Sequence, residues 1–139
     1  GVRLSAEDYV EGGWSLEETV ELCHRLKTLG CDFATISSGG LVLEQNVPIG
    51  EGHQVPLVAT VKRETGLVTM AVGMIQRPAH AEAILEAGEA DHIALARAML
   101  HDPHWPWHAA AALDAEVDFP VQYIRGYKSR WHRGLRGGG

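Results

Sequence analysis

The fold is decided by residues 67–97, which read LVTMAVGMIQRPAHAEAILEAGEADHIALAR. Two apolar runs, at 67–73 and 92–97, are too short for helices and rich in β-branched or small residues, which predicts strands. The stretch 78–88 between them starts with proline and ends with glycine, which is typical of a helix. Apolar strands without alternation indicate a parallel sheet with both faces buried under helices. We therefore expect a strand, a helix and a second, parallel strand.

Each of these predicted strands ends at a residue suited to binding an anion. Gly73 ends the first strand, and a residue without a side chain lets a ligand approach the backbone. Ala96 and Arg97 end the second strand and add a guanidinium group. Amides and an arginine that meet at the ends of neighbouring parallel strands form a phosphate site, as after strands seven and eight of many (β/α)₈ barrels. The competing interpretation is that Gly73 closes a turn and Arg97 forms a surface ion pair.

The rest of the chain repeats the strand–helix pattern. Strands are predicted at 2–5 and 33–37, and a short helix at 56–64. A capping box at Ser15 predicts the start of a further helix, which ends before Gly30. This alternation predicts an α/β fold with a parallel sheet, either open and doubly wound or forming half of a (β/α)₈ barrel. No glycine-rich dinucleotide fingerprint is present, and the anion site lies on the last two strands, which favours the half-barrel.

Length and composition exclude several classes of protein. The 139 residues, of which 45% are hydrophobic and 22% charged, fit one globular domain. A net charge of −6 argues against nucleic acid or anionic lipid as a partner, and no apolar run is long enough to span a membrane. Cys23 and Cys31 are expected to be small core residues, which suits a cytoplasmic protein. The basic, glycine-ended residues 128–139 are predicted to be a disordered tail.

Three histidines, His101, His104 and His108, flank two tryptophans near the C-terminus. A cluster of this kind can bind a metal ion. However, only Asp102 stands nearby to complete a ligand set. We therefore favour an aromatic helix that packs on the sheet, with no metal.

Six short stretches, taken in order, resemble the C-terminal half of the Old Yellow Enzyme family, which comprises FMN-dependent ene reductases on (β/α)₈ barrels. They are VRLSA at 2–6, SSG at 37–39, AVGMI at 71–75, DHIALAR at 91–97, DP at 102–103 and VQY at 121–123. The best match is the short bacterial subclass whose chains end in Gln-Tyr-x-Arg-Gly plus an aromatic residue. The resemblance implies that residues 1–127 form strands five to eight of the barrel.

The resemblance also implies roles for individual residues. Arg3 matches the arginine beside the flavin N1–C2 edge, where a cation stabilises the anionic reduced flavin. Gly73 matches the glycine whose amide meets the FMN phosphate, and Arg97 matches the arginine that clamps this phosphate. Ala96 stands where the family usually has glycine.

Further matches concern the flavin pocket and the C-terminus. Ser38 and Gly39 lie where the family lines the flavin pocket. Arg125 matches an arginine that reaches into the active site of a neighbouring subunit, which implies a homo-oligomer, and Tyr127 stands where the subclass more often has tryptophan. We expect residues 121–125 to form an extended arm that docks on the neighbour. The alternative is a tail that folds back on its own barrel.

The implied function is part of an ene reductase, in which NAD(P)H reduces FMN and the flavin reduces the C=C bond of an α,β-unsaturated carbonyl compound. The family's substrate-binding histidine pair, catalytic tyrosine and flavin-tuning Cys or Thr belong to the first half of the barrel and are not in this chain. We therefore expect a missing N-terminal half-barrel, the chain being a fragment, a split or permuted barrel, or a partial record. One alternative is a half-barrel that binds FMN or phosphate without turnover, and another is one that only completes another chain.

Overall fold

The computed structural model describes residues 1–126, with the backbone alone for residues 124 and 125. Tyr127 and the predicted tail at 128–139 lie outside the described residues. The strands are β1 (Val2–Ser5), β2 (Phe33–Ser37), β3 (Val68–Ala71) and β4 (His92–Ile93). The helices are α1 (Leu16–Thr28), α2 (Val55–Thr65), α3 (Pro78–Glu86), α4 (Arg97–His101) and α5 (Trp105–Ala112), followed by a 3₁₀ helix at Val121–Gly126. No helix within this part of the chain is long and apolar enough to cross a lipid bilayer.

The four strands form one parallel sheet in the order β1-β2-β3-β4. In its register Arg3 lies opposite Thr35, Thr35 opposite Met70, and Met70 opposite His92. An open doubly wound sheet reverses its strand order at a switch point, and this sheet has no such reversal. The predicted α/β fold is therefore confirmed, and consecutive parallel strands are the order found in a segment of a (β/α)₈ barrel.

Helices cover one face of this sheet, and the core lies between them. The fully buried residues on this side come from alternate strand positions and from α1 and α2: Ala34, Ile36, Thr69, Ala71, Cys23, Val58 and Val61. On the opposite face Phe33, Thr35 and Met70 are half-buried and Val68 is exposed. The prediction that both faces are buried is therefore wrong for the described residues. In a closed barrel this second face points inward, where side chains from the opposite strands cover it.

Helix α1 begins and ends where the sequence predicts. Ser15 Oγ accepts a hydrogen bond from the Glu18 amide (3.3 Å), and the Glu18 carboxylate accepts one from the Ser15 amide (2.9 Å). Gly30 follows the helix with a φ of +87°, a conformation that glycine adopts without strain. The capping box and the terminal glycine thus fix the helix that covers β1 and β2.

The strands β3 and β4 are shorter than the sequence predicts. The strand β3 ends at Ala71, because Gly73 and Met74 turn the chain with φ values of +109° and +56°. The strand β4 ends at Ile93, and Arg97 is the first residue of helix α4. The prediction that Gly73 and Arg97 end their strands is therefore wrong. Both lie a few residues further on, in the segments that follow the carboxyl ends of the sheet.

The C-terminal segment is not extended. Residues Val121–Gly126 form a 3₁₀ helix, and the Tyr123 amide donates to the Pro120 carbonyl (2.8 Å). The Tyr123 ring lies 5.2 Å from the ring of Trp107 and 5.9 Å from that of His104, measured between centroids. The prediction of an extended arm is therefore wrong for these residues. Aromatic contacts with α5 favour a compact turn over an extended one.

Candidate functional site

A cleft of about 900 Å³ lies at the carboxyl ends of the strands. Its walls come from the strands β1 and β2 and from the segments that follow β2, β3 and β4: Arg3, Thr35, Ser38, residues 72–76 and residues 94–98. Gln54, directly before α2, and Trp105, in α5, also line the cleft. This is the volume of a small-molecule or cofactor site, at the edge where parallel α/β sheets bind ligands.

Most of the residues predicted for the site meet in this cleft. The residues that line it are Arg3, Ser38, Gly73, Ala96 and Arg97. Gly39 does not line it, because its amide donates to the Glu7 carbonyl (2.9 Å) and holds a turn beside the cleft. The side chain of Arg125 and all of Tyr127 lie outside what the structure describes.

The charges in the cleft are unusual for a chain with a net charge of −6. The guanidinium groups of Arg3 and Arg97 are exposed, and neither forms an ion pair or hydrogen bond with any described residue. Among the described lining residues Asp102 is the single carboxylate, and His108 Nδ1 lies 2.6 Å from it. This hydrogen bond holds the pKa of Asp102 below its usual value. The surface ion pair considered for Arg97 is therefore not formed with any residue in the described range 1–126, and two cations in the cleft are available to an anionic ligand.

The loop after β3 can be formed by glycine alone at position 73. A side chain there would place its Cβ 2.9 Å from Gln54 Oε1, and the φ of +109° lies where only glycine is unstrained. The Gly73 carbonyl accepts a hydrogen bond from the Gly52 amide (2.9 Å). Gly73 thus lies against Gln54 on one side and lines the cleft with its backbone.

Ser38 is held in place by two neighbours. Tyr9 Oη donates to Ser38 Oγ (3.2 Å), and Gln54 Nε2 donates to Ser38 Oγ (3.1 Å) and to its carbonyl (3.2 Å). A carbonyl only accepts, so the amide nitrogen of Gln54 must face Ser38 and its oxygen must face Gly73. Gln54 is 7% exposed and lies between the segments that follow β2 and β3, because it donates to Ser38 and packs against Gly73.

Helix α4 begins in the cleft without a capping side chain. Ala96 is its N-cap residue, and no side chain accepts a hydrogen bond from the first turn. The amide groups of a first helical turn have no partner within the helix. Ala96 and Arg97 therefore bring backbone donors and a guanidinium to the cleft, in the segment after β4, the strand next to the one that Gly73 follows.

Sequence reasoning missed three residues of the site. Trp105 Nε1 donates to the Gln76 carbonyl (2.9 Å), although the tryptophan was expected only to pack. Gln54 shows a weak signal, since it is a polar residue directly before the apolar start of α2. Met74 gives no signal, because its positive φ is imposed by the loop.

The three C-terminal histidines do not share one site. His104 stacks near Trp107 with 4.5 Å between centroids, while His108 pairs with Asp102. Across residues 1–126, no group of three or more His, Cys, Asp or Glu side chains is placed to hold a metal ion. The aromatic contacts of His104 agree with a packing role.

A parallel sheet of consecutive strands, with a cleft that two arginines line, defines an α/β protein whose architecture matches a segment of a (β/α)₈ barrel. The chain belongs to the NADH:flavin oxidoreductase / NADH oxidase family, whose sequence model matches residues 1–116. This confirms the resemblance to Old Yellow Enzymes and indicates FMN as the cofactor.

Similar curated proteins carry the name NADPH dehydrogenase. Those of Geobacillus thermodenitrificans and a second Geobacillus strain are each 39% identical over 127 residues, and that of Halalkalibacterium halodurans is 39% identical over 126 residues. Each alignment covers 91% of this chain and 37% of the relative. The chain thus spans little more than a third of the length of these relatives.

Proposed function

We propose that this chain supplies the FMN-binding part of an NAD(P)H oxidoreductase that reduces activated C=C bonds of α,β-unsaturated carbonyl compounds. The observation that carries the proposal is the pair Arg3 and Arg97, two guanidinium groups that line one cleft without a partner among the described residues. FMN fits this donor set, because it combines a phosphate dianion with a large planar ring system. When bound, it supplies hydride transfer between the nicotinamide and the substrate.

Arg97 and the backbone at Gly73 and Ala96 would hold the phosphate. The Arg97 guanidinium is a permanently charged donor that can form two parallel hydrogen bonds with a phosphate. The backbone would add neutral N–H donors. The Cβ of Ala96 limits how closely the phosphate approaches, in contrast to the glycine usual there. A charge-assisted contact of this type contributes about 1.5–3 kcal/mol.

Arg3 would lie against the flavin ring and stabilise its reduced, anionic form. The position of Arg3 on a strand supports this role. Arg3 is paired in register with Thr35, on the sheet face that helices leave open. A cation on a strand is held more firmly than one on a loop. Ser38, fixed by Tyr9 and Gln54, would line the same pocket, and Gly39 would shape the turn behind it.

The partners follow from the family. The names of the relatives point to NADPH as reductant, and an enone would be the oxidant. We infer that the open sheet face is covered by an N-terminal half-barrel, which would contribute the groups that bind the substrate carbonyl. Arg125 and Tyr127 would act at a contact between subunits of a homo-oligomer. A cytoplasmic location remains a prediction from the two free cysteines.

The alternative proposal is a half-barrel that binds FMN, or completes another chain, without activity of its own. The half-buried residues on the open sheet face favour it, because they need a covering partner whether or not chemistry takes place.

Flavin titration of the protein that carries this chain tests these proposals. We expect FMN to bind at least about tenfold more tightly than riboflavin, which lacks the phosphate. NADPH should then bleach the flavin band, and cyclohex-2-enone should restore it. Equal affinity for FMN and riboflavin would reject the phosphate site. Binding without NADPH-dependent bleaching would reject the oxidoreductase in favour of the alternative.

A further inference from the structure

The loop between β3 and α3, residues 72–77, is strained at the wall of the cleft. Gly73 and Met74 are consecutive and both have positive φ values, +109° and +56°. This conformation is unfavourable for a residue with a side chain such as methionine, so the surrounding structure must impose it. Contacts that hold the loop therefore also set the position of the backbone that faces the cleft.

Two of these contacts come from the segment before α2. The Gly52 amide donates to the Gly73 carbonyl (2.9 Å). The Arg77 guanidinium forms two hydrogen bonds with the Glu51 carboxylate (3.0 and 2.9 Å). They tie the loop to its neighbour in the sheet, on the side away from Arg97.

The third contact comes from α5. Trp105 Nε1 donates to the Gln76 carbonyl (2.9 Å), across 29 residues of sequence. The Trp105 ring is half-buried, packs on the hydrophobic core and lines the cleft. A ring held by packing gives its N–H group a fixed direction, so this hydrogen bond transmits the position of α5 to the loop.

Trp105 is also connected to the segment that carries Arg97. The Trp105 amide donates to the Asp102 carbonyl (3.0 Å), and the amide of Asp102, the residue that ends α4, donates to the Ala98 carbonyl within the helix (2.8 Å). A short chain of hydrogen bonds therefore joins the Arg97 wall of the cleft to the Gly73 wall through Trp105.

We propose that Trp105 is a positioning residue that sets the separation between Gly73 and Arg97, and that it thereby favours a phosphorylated flavin over an unphosphorylated one. The inference rests on the proposed function, because it takes these two walls as the FMN phosphate site. Trp105 acts through the Gln76 carbonyl and its effect reaches the phosphate through the loop.

The test compares FMN and riboflavin affinities in Trp105→Phe, which keeps an aromatic ring and loses the N–H donor. We expect FMN to bind about three- to tenfold more weakly while riboflavin changes by less than about twofold. Trp107→Phe is the matched control, since Trp107 lies on the same helix, packs against other aromatic rings and does not line the cleft. It should leave both affinities unchanged.

A second variant keeps the test decisive if Trp105→Phe does not fold. Site-specific replacement of Trp105 by 3-benzothienylalanine preserves the bicyclic ring and exchanges the N–H group for sulfur, and it should reproduce the selective loss of FMN affinity. Equal weakening of both flavins, or no change in either, would overturn the inference. Arg97→Ala distinguishes a failure of the Trp105 inference from a failure of the proposed function. If this variant leaves the ratio of FMN affinity to riboflavin affinity unchanged, the assignment of the phosphate site is wrong.

Discussion

The two ends of the sheet use charged side chains in opposite ways. At the amino end, Asp91 accepts hydrogen bonds from the Thr69 amide (2.8 Å) and hydroxyl (3.3 Å) and pairs with Lys62 (3.0 Å). On the cleft side, Arg97 lies beyond the carboxyl end of β4 and Arg3 lies on the open sheet face, and neither guanidinium has a partner among the described residues. The amino end thus satisfies the charge of Asp91 within the fold, whereas the two arginines of the cleft are available to the proposed ligand. Under the proposal, stability and binding are separated, as in (β/α)₈ barrels generally.

Glycines with positive φ occur at both ends of the sheet, as Gly30 and Gly66 before β2 and β3 and Gly39 and Gly73 after them show. Residues with a side chain differ, because Tyr9 and Met74, both with positive φ, follow the carboxyl ends of β1 and β3. At the amino end Lys27 Nζ donates to the carbonyls of Thr65 and Gly66, which closes the turn before β3. Contacts of this kind offset the cost of a strained binding edge.

The largest effect is expected from Arg97→Ala at the carboxyl end. Loss of the charged fork should weaken FMN binding about ten- to a hundredfold. Riboflavin affinity and the melting temperature should stay the same, because the Arg97 side chain is exposed and forms no hydrogen bond or ion pair with the described residues. Arg25→Ala, an exposed arginine on α1 paired with Glu21, is the control. Unchanged FMN affinity in Arg97→Ala would end the assignment of this cleft to the phosphate.

The complementary change at the amino end is Asp91→Ala. It leaves the Thr69 amide and Lys62 without their acceptor, and should lower the free energy of unfolding by about 1–2 kcal/mol. The affinity of the folded protein for FMN should not change. Chemical denaturation measures the first quantity and flavin titration the second. Asp32→Ala, at an exposed residue, is the control, and a loss of FMN affinity in Asp91→Ala would show that the two ends are not separate.

The contribution of Asp91 should disappear in acid. Burial alone would raise the pKa of its carboxyl group, but hydrogen bonds from Thr69 and Lys62 outweigh burial and lower it. A carboxyl group with a lowered pKa stabilises the fold above its unfolded pKa, near pH 4, and this stabilisation is lost as the pH falls through the folded pKa. The difference in stability between the parent and Asp91→Asn should therefore be constant near neutral pH and shrink in acid. A difference that persists below about pH 2 would contradict this linkage.

The fold was largely predictable from local patterns. The strand–helix–strand pattern of residues 67–97 and the capping box at Ser15 predict elements that the structure contains. The strand ends were not predictable, because positions 72–73 and 94–96 continue the apolar composition of the strands while the backbone turns away. These positions are half-buried or exposed, so apolar composition alone does not mark where a strand ends.

Residues of the candidate site were predictable only where the residue type itself suggests anion binding. Gly73 and Arg97 were found because a glycine and an arginine follow apolar runs. Gln54 and Trp105 were missed, since their roles arise from hydrogen bonds to Ser38 and Gln76 that the folded chain brings near. Such contacts leave no local pattern in a sequence.

A smaller effect is expected from Arg3→Leu, which removes the second cation of the cleft. The reduction potential of the bound flavin should fall by about 20–40 mV, equivalent to about 1–2 kcal/mol for a two-electron couple, because the reduced form loses its counter-charge. FMN should remain mostly bound, since the phosphate contacts are untouched. Reductive titration against a reference dye measures the potential, and Thr35→Val at the paired position in β2 is the control. A potential equal to or above that of the parent would reject the role of Arg3.

The smallest effect concerns whether the C-terminal segment belongs to the binding end of the molecule or only packs against it. The 3₁₀ helix at Val121–Gly126 is anchored on its own chain through Tyr123 and Trp107, so position 125 is presented from a fixed base. If Arg125 acts on a neighbouring subunit, Arg125→Ala should raise the KM for NADPH or enone about two- to fivefold, as expected for the loss of one charged contact, and leave FMN occupancy unchanged. Tyr123→Ala, which removes the anchor, should raise the same KM and loosen the oligomer in sedimentation. If both variants keep their KM values and their oligomeric state, the segment serves packing alone, and the carboxyl end is completed by residues outside this chain.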